Sequence, residues 1–306
     1  MINVYNRTIK SPELKKIKVI KPGSWIQVVK PTEQEIEMLV KNLNIDPTVL
    51  EDVLDENEIS RVEKENGIFY MIIRFPFIKD KVISTMPLLL AITKDNIITV
   101  CKESEDITRY FLEKDKDFLT TKKTYFVLKA ISEIFRGYDA YLNKILKDIK
   151  QKKIEINHLR NRDILFLVQE EETLNDFISA LVPTINITER ILRGKYITIY
   201  EKDIDVVEDL VMDSKQTLEL SKSGLKSIKN IREAYSTILT NDLNKVMKTL
   251  TIATIMFTVP TIISSIFGMN IPLPMQNDPM AFLHIMGLIF FSSLILLLII
   301  IKRRWI

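Results

Sequence analysis

Two runs near the C-terminus break the mixing of apolar and charged positions seen elsewhere in the chain. Thr249 to Phe267 carries no charged side chain, and neither does Met280 to Ile301. Each run, wound as a helix rising about 1.5 Å per residue, is long enough to cross a bilayer core of about 30 Å. The pattern therefore predicts an integral membrane protein with two spans, joined by a short segment that contains Phe267-Gly268-Met269-Asn270.

Upstream, the patterning changes twice. Strand-like runs rich in Ile, Val and aromatics occur at Trp25 to Val29, Ile68 to Phe75, Leu88 to Thr93 and Ile97 to Cys101, bounded by Pro, Gly, Asn or Asp. Thr32 and Glu35 fit a capping box at the start of one helix, and Asp46-Pro47 fits an N-cap followed by proline at the start of another. Lys94-Asp95-Asn96 is placed for a hairpin turn between two apolar runs. A compact α/β domain without a Gly-rich phosphate loop is expected.

From about Thr121 helix formers dominate, with Gly137, Pro183 and Gly194 as the main interruptions and Pro183 expected to kink or break its helix. The pattern predicts a pair of long helices, roughly Lys122 to His158 and Asp163 to Leu192. A very long helix then begins near Tyr200 and meets no proline until Pro260, inside the first span. If continuous to Phe267 it is roughly 100 Å long at about 1.5 Å per residue. Along it Ile204, Val207, Val211, Leu218, Leu225, Ile228, Ile231, Tyr235, Ile238 and Val246 form a narrow apolar stripe, broken by Ser214 and Ser221. Such a stripe suits packing against another helix, from the same chain or a neighbouring subunit.

The polar positions of the first span are also ordered. Asn244, Met247, Thr251, Thr254, Thr258, Thr261 and Ser265 follow alternating spacings of three and four, which places them on one side of a helix. This periodicity fits a pore wall. It fits equally a packing face whose hydroxyls bond back to their own helix. Two spans cannot enclose an aqueous path, so the pore alternative requires a symmetric oligomer with this face toward its axis. Neutral oxygens suit a strongly hydrated ion such as Mg²⁺, which they can hold weakly through its water shell.

Charge refines this picture. The acidic residues Glu201, Asp203, Asp205, Glu208, Asp209, Asp213 and Glu219 face only Lys202 and Lys215 in that stretch, whereas Lys222, Lys226, Lys229 and Arg232 follow with no acidic residue among them. Each charge alone reads as solvated helix surface, but the segregation suits an acidic zone for a divalent cation and a basic collar nearer the membrane. Lys245 and Lys248 precede the first span and Lys302, Arg303 and Arg304 follow the second, so both termini are expected in the cytoplasm. The net charge of +3, with Lys and Arg interspersed among Asp and Glu, points away from a nucleic-acid partner. A single cysteine, Cys101, rules out an internal disulfide and a cysteine zinc cage. His158 and His284 lie on different segments and suggest structural or interfacial roles rather than an enzyme site.

Gly268-Met269-Asn270 at the outer end of the first of two C-terminal spans, followed by a short loop, a second span and a basic tail, resembles the CorA-type magnesium transporter family. The similarity extends through Val246-Met247-Lys248 and Ala253-Thr254 to Phe267, and more loosely over the whole plan. The resemblance implies an α+β membrane protein: a cytoplasmic α/β domain over 1–120, a helical bundle and stalk over 121–248, a pore-lining first span over 249–267, an external loop over 268–279, a second span over 280–301 and a basic tail over 302–306. It further implies a homopentamer in the cell membrane that admits Mg²⁺, with Co²⁺ and Ni²⁺ as further ions. Gly268 would give the turn, Met269 would brace it, and Asn270 would present its side-chain oxygen to hydrated Mg²⁺. Asn244, Met247 and Thr261 match pore-facing positions, with Met247 and Leu250 near the narrow apolar constriction. Asp209 falls at a regulatory Mg²⁺ site between subunits, with Asp80 or the group Asp52, Asp55 and Glu56 as candidate partners. A zinc transporter of the same superfamily and a membrane-anchored sensor without transport are the alternatives. Two departures stand out: Phe267 replaces a common Tyr, and Asp278 is the only acidic residue of the loop where the family frequently carries Glu.

Overall fold

The computed structural model describes residues 1–80, 82–103, 118–271, 273–274 and 279–303. By contact density these form two compact units, Met1–Ile231 and Arg232–Ile306.

The first unit is built on a seven-stranded mixed sheet. Its strands are β1 (Ile2–Thr8), β2 (Ser11–Ile17), β3 (Ser24–Val29), β4 (Arg61–Glu65), β5 (Ile68–Lys79), β6 (Val82–Ile92) and β7 (Ile97–Cys101), in the spatial order β2-β1-β3-β7-β6-β5-β4. Only β3 and β7 pair in parallel, with Trp25 opposite Ile97 and Val29 opposite Cys101; the other pairs are antiparallel. The parallel pair needs a long crossover, and the segment from Lys30 to Asn96 supplies it.

Helices cover both faces of the sheet, which explains why its central strands read as nearly unbroken apolar runs. On one face lie α1 (Glu33–Leu43) and α2 (Pro47–Leu54), whose Leu39, Val49, Leu50 and Val53 share a core with Ile26, Val28, Tyr70, Ile72, Leu89, Ile98 and Val100. The caps are as expected: Thr32 and Glu35 close a capping box, and the Asp46 side chain accepts from the Thr48 N–H at 2.8 Å. The hairpin at Lys94-Asp95-Asn96 also forms, with the Thr93 hydroxyl accepting from the N–H groups of Asp95 and Asn96.

Two long helices, α3 (Lys123–Ile154) and α4 (Asn161–Leu192), pack against the sheet and are joined through a 3₁₀ turn at Ile156–His158. Trp25, fully buried, packs edge-on to Phe118 and at a tilt against Phe126, and its indole N–H donates to the Thr99 hydroxyl at 3.1 Å. Tyr138 of α3 packs edge-on to Phe177 of α4 and donates to the Arg74 carbonyl on β5.

Two expected interruptions do not occur. Gly137 lies inside α3, where a Cβ would come within 3.1 Å of the Pro76 ring, so the glycine permits a close helix-to-sheet approach. Pro183 lies inside α4, which continues through it. Proline costs a helix about 3 kcal/mol, but buried Ala180, Leu181, Thr184, Ile185 and Thr188 hold this segment in place, and Thr184 hydrogen-bonds to the Ala180 carbonyl at 2.7 Å. Gly194, at φ +67°, does end a helical stretch as expected.

The last two helices are α5 (Glu201–Phe267), 67 residues long, and α6 (Ala281–Lys302), 22 residues long. Both contain a segment long and apolar enough to cross a membrane. The predicted apolar stripe of α5 is corrected in its centre. The buried positions are Val207, Leu210, Ser214, Thr217, Ser221, Gly224, Ile228 and Ile231, again in threes and fours, so the two serines belong to the seam instead of breaking it. Ile204 and Val246, counted in the stripe, are exposed. The reason is close packing: a Cβ on Gly224 would lie 2.9 Å from Leu174 of α4 and 3.1 Å from Leu146 of α3.

Candidate ion-conduction path and its sensor residues

The second unit contains the candidate conduction residues on the C-terminal part of α5. Asn244, Met247, Leu250, Thr251, Thr254, Thr258, Thr261 and Ser265 are all exposed in the protomer. Between them, Ile252, Ala253, Ile255, Met256, Val259, Pro260 and Ile263 are half-buried. At about 100° per residue the line 252, 256, 259, 263 falls on the side of the helix opposite Thr254, Thr258 and Thr261. The hydroxyl face therefore points away from the partly covered one. Asn244, Met247 and Thr251, with Asn241, Lys245 and Lys248, also border a concavity of about 720 Å³.

The hydroxyls have a common geometry. Thr251, Thr254, Thr258 and Thr261 donate to the carbonyls of Met247, Leu250, Thr254 and Phe257 at 2.8, 2.9, 2.7 and 2.7 Å. This is the back-bonding expected of a packing face, yet no described side chain packs over it. Spending each hydrogen on the helix leaves the oxygen lone pairs as pure acceptors. Water in the shell of a cation turns its hydrogens outward, so a row of acceptors matches the outside of a hydrated cation.

At the C-terminal end of α5, the Gly268 N–H donates to the Ser264 carbonyl at 3.0 Å and the Met269 N–H to that of Ile266 at 3.3 Å. Gly268 does not take a left-handed φ. A Cβ there would stand 3.3 Å from the Ser264 carbonyl oxygen, so the glycine serves a tight exit from the helix. Asn270 is exposed, and its amide makes no hydrogen bond with any described residue. Asp278 lies outside the described residues, as do Arg304 and the two residues after it.

The acidic zone lies in the first unit. Asp209 is exposed on α5, beside exposed Asp205 and Glu208, and makes no ion pair with any described residue. The candidate partner carboxylates separate clearly. Asp52 is bound by Arg61 at 2.5 Å, and Arg61 also holds Glu58 and Glu63. Glu56 lies between Lys102 at 3.0 Å and Lys79 at 3.6 Å, and the hydrogen bond from Lys102 holds its carboxyl below the usual range. Asp55 accepts from the Asn57 N–H as a local turn. Asp80 is different: it sits exposed at the tip of the β5–β6 hairpin, at φ +51°, with no ion-pair partner among the described residues.

Among the described residues of one protomer, no group of three or more His, Cys, Asp or Glu is arranged to hold a metal ion. Asp209 offers one exposed carboxylate, which fits a share of a site and not a complete one. Sequence reasoning missed the ties that hold α5 to the first unit: Lys215 to Glu189 of α4 at 2.6 Å, and the Thr217 hydroxyl to Asp139 of α3 at 2.5 Å. Each joins residues far apart in sequence, so local pattern carries no trace of them.

Comparison with known proteins extends over the same elements. Residues 22–303 match the family described as CorA-like Mg²⁺ transporter protein. The cobalt/magnesium transport protein CorA of Methanocaldococcus jannaschii is 27% identical over 296 residues, covering 92% of this chain and 91% of its own. The corresponding protein of Thermotoga maritima is 23% identical over 266 residues, 81% of this chain and 73% of its own. In structure, the complete CorA magnesium transporter of M. jannaschii superposes with a TM-score of 0.87 at 22% identity, covering 100% of this chain and 99% of that one. The cytoplasmic domain of ZntB from Vibrio parahaemolyticus shares the fold at a TM-score of 0.62 and 10% identity, over 78% of this chain and 98% of that one. With the family match spanning nearly the whole length, from the sheet through the stalk helix to both apolar helices, the chain belongs to the CorA-like Mg²⁺ transporters, a family of ion transporters and not of enzymes.

Proposed function

We propose that this chain assembles as a homopentamer in the cell membrane, with both termini in the cytoplasm, and conducts Mg²⁺ inward through a path lined by the first span. The observation that carries this is the exposed row of back-bonded hydroxyls ending at Gly268-Met269-Asn270. A five-fold ring would turn that row inward and surround the ion with acceptors for its coordinated waters. Mg²⁺ sheds its water reluctantly, and neutral acceptors bind the shell weakly enough for the ion to leave. Asn270 would meet the hydrated ion at the outer mouth, while Met247 and Leu250 would form the apolar constriction. The transport names of the M. jannaschii and T. maritima relatives support magnesium and cobalt as ions carried.

For control, Asp209 of one subunit would share a cytoplasmic Mg²⁺ with Asp80 of its neighbour. Asp80 is preferred over Asp52, Asp55 and Glu56 because Asp52 and Glu56 are neutralised by Arg61, Lys79 and Lys102 and Asp55 caps a local turn. The ion would favour the closed state through its higher affinity there.

The test is Mg²⁺ uptake into liposomes holding purified protein. Asn270→Ala is expected to abolish most uptake with assembly intact; undiminished uptake removes Asn270 from the path. Asp209→Ala and Asp80→Ala are each expected to weaken inhibition by Mg²⁺ on the cytoplasmic face, and an unchanged inhibition curve discards the pair. Zinc carried in preference to magnesium in the same assay would replace the ion assignment.

A further inference from the structure

Pro260 lies inside the apolar part of α5 and has no N–H to give. The carbonyl four residues back, that of Met256, therefore lacks its helical donor. The nearby hydroxyls do not replace it: Thr258 is committed to the Thr254 carbonyl at 2.7 Å and Thr261 to that of Phe257 at 2.7 Å. Met256 and Pro260 are both half-buried, on the covered side of α5 and away from the hydroxyl row. A carbonyl left open in a hydrocarbon layer is costly. Proline within a spanning helix is tolerated where a neighbouring helix, through Ser or Thr among other groups, satisfies the acceptor it frees.

α6 holds a hydroxyl in the complementary condition. The Ser293 Oγ is buried and has no hydrogen-bond partner among the described residues. Its usual local acceptor, the Ile289 carbonyl, already takes the Ser292 hydroxyl at 3.0 Å besides the helical N–H of Ser293, which fills both lone pairs. Ile285, Ile289, Ser292, Ser293 and Leu296 are half-buried and form one face of α6. The second unit contains no described element other than α6 and the C-terminal part of α5, so the covered face of each is covered by the other. As two spans joined by a short segment, the helices run antiparallel. Counted from the joined ends at about 1.5 Å per residue, Met256 is roughly 17 Å from Phe267 and Ser293 roughly 18 Å from Ala281, which sets the two groups at one height.

We propose that Ser293 is a positioning residue of the conduction path: its hydroxyl donates to the Met256 carbonyl that Pro260 leaves open, and this bond holds α5 bent at Pro260. The bond is not made in this structure. A proline bends its helix away from its own side and opens the hydrogen-bond ladder there, and a hydroxyl that enters the opening holds it. The bend tilts Thr261 to Asn270 toward the hydroxyl side of α5 and so sets their alignment with Thr251, Thr254 and Thr258. This role rests on the conduction reading above; the bond itself does not.

The experiment uses the full chain in Mg²⁺-free lipid bilayers, with methionine carrying ¹³C at its carbonyl and phenylalanine carrying ¹⁵N. Met-Phe occurs once in the sequence, at Met256-Phe257, so solid-state NMR of the labelled pair isolates the Met256 carbonyl. Ser293→Ala is expected to move that resonance upfield, as loss of a hydrogen bond does, and Ser293→Thr, which keeps the hydroxyl, to leave it in place. In a Pro260→Ala background, where the helical N–H is restored, Ser293→Ala is expected to have no effect on it. In liposomes Ser293→Ala is expected to lower Mg²⁺ uptake about threefold, the scale of one interhelical hydrogen bond in a bilayer, and Ser293→Thr to retain it. A resonance unmoved by Ser293→Ala, or moved as far by Ser293→Thr, overturns the bond. Uptake unchanged by Ser293→Ala, in protein that carries Mg²⁺, overturns the positioning role. Unsubstituted protein that carries no Mg²⁺ would instead overturn the conduction reading, and the resonance would still decide the bond.

Discussion

Two stretches of α5 carry the same spacing of small polar residues and use it in opposite ways. In the first unit, Ser214, Thr217, Ser221 and Gly224 are buried between α3 and α4. In the second, Thr251, Thr254, Thr258, Thr261 and Ser265 are exposed. Ser214, Thr217 and Ser221 in the first set and Thr251, Thr254, Thr258 and Thr261 in the second bond back to the helix, as Ser221 does to the Thr217 carbonyl and Thr258 to that of Thr254. The local chemistry is the same, and what differs is the neighbour. Where Leu146 and Leu174 close over the seam, small residues allow close approach. Where no described side chain closes over it, the same residues leave a row of acceptors for whatever lies beyond.

The strongest way to break this comparison is at Gly224. Replacing it with Val inserts atoms where a Cβ already meets Leu174 at 2.9 Å and Leu146 at 3.1 Å. Overpacking of this kind costs about 1–3 kcal/mol, so a clear drop in the thermal midpoint of the purified protein is expected. A midpoint unchanged by Gly224→Val would show that the seam yields freely. Thr254→Val combined with Thr258→Val is expected to act in the reverse sense: the thermal midpoint and the oligomer persist, while Mg²⁺ uptake falls about fivefold through the loss of two acceptors for coordinated water. If the oligomer dissociates and the remaining assembled fraction conducts normally, the exposed face is a packing face after all.

A smaller effect concerns the polar groups between α3 and α4. Glu170 of α4 is half-buried, its Oε2 has no hydrogen-bond partner among the described residues, and burial followed by repulsion from Asp148 raises its carboxyl above the ordinary value, against the attraction of Lys144. A carboxyl raised on folding favours the folded state while it is protonated. Stability is therefore lost as pH rises from the ordinary carboxylate value of 4.5 through the raised one. Glu170→Gln should remove that loss, raising stability at pH 7 and leaving it unchanged well below pH 4.5, where both forms are neutral. Denaturant unfolding at the two pH values measures the difference; an equal change at both would assign the effect to packing.

Local rules made part of this molecule legible. The capping box at Thr32 and Glu35, the N-cap at Asp46, the turn at Lys94 to Asn96 and the strands around Ile68 and Ile97 depend on contacts within a few residues. Edge strands were harder: β2 and β4 carry Lys15, Lys16, Glu63 and Lys64 because charged edges resist pairing with other chains, and charge hides the apolar period that identifies a strand. At the candidate path, the heptad of hydroxyls and the Gly-Met-Asn turn were readable, because a helix places every third and fourth residue on one side whatever surrounds it.

The sequence by itself determined the two apolar helices, the polar face of the first, the charge change along α5 and the four apolar strands β3, β5, β6 and β7, since all of these follow from period, length and capping. Only the tertiary structure decided that Pro183 stays within a helix, that Ser214 and Ser221 join the buried seam, and that Asp52 and Glu56 are neutralised while Asp80 is left exposed. The physical reason is the same in each case. Burial against a distant element can outweigh a local preference of a few kcal/mol, and an ion pair depends on which distant side chain comes within a few ångströms.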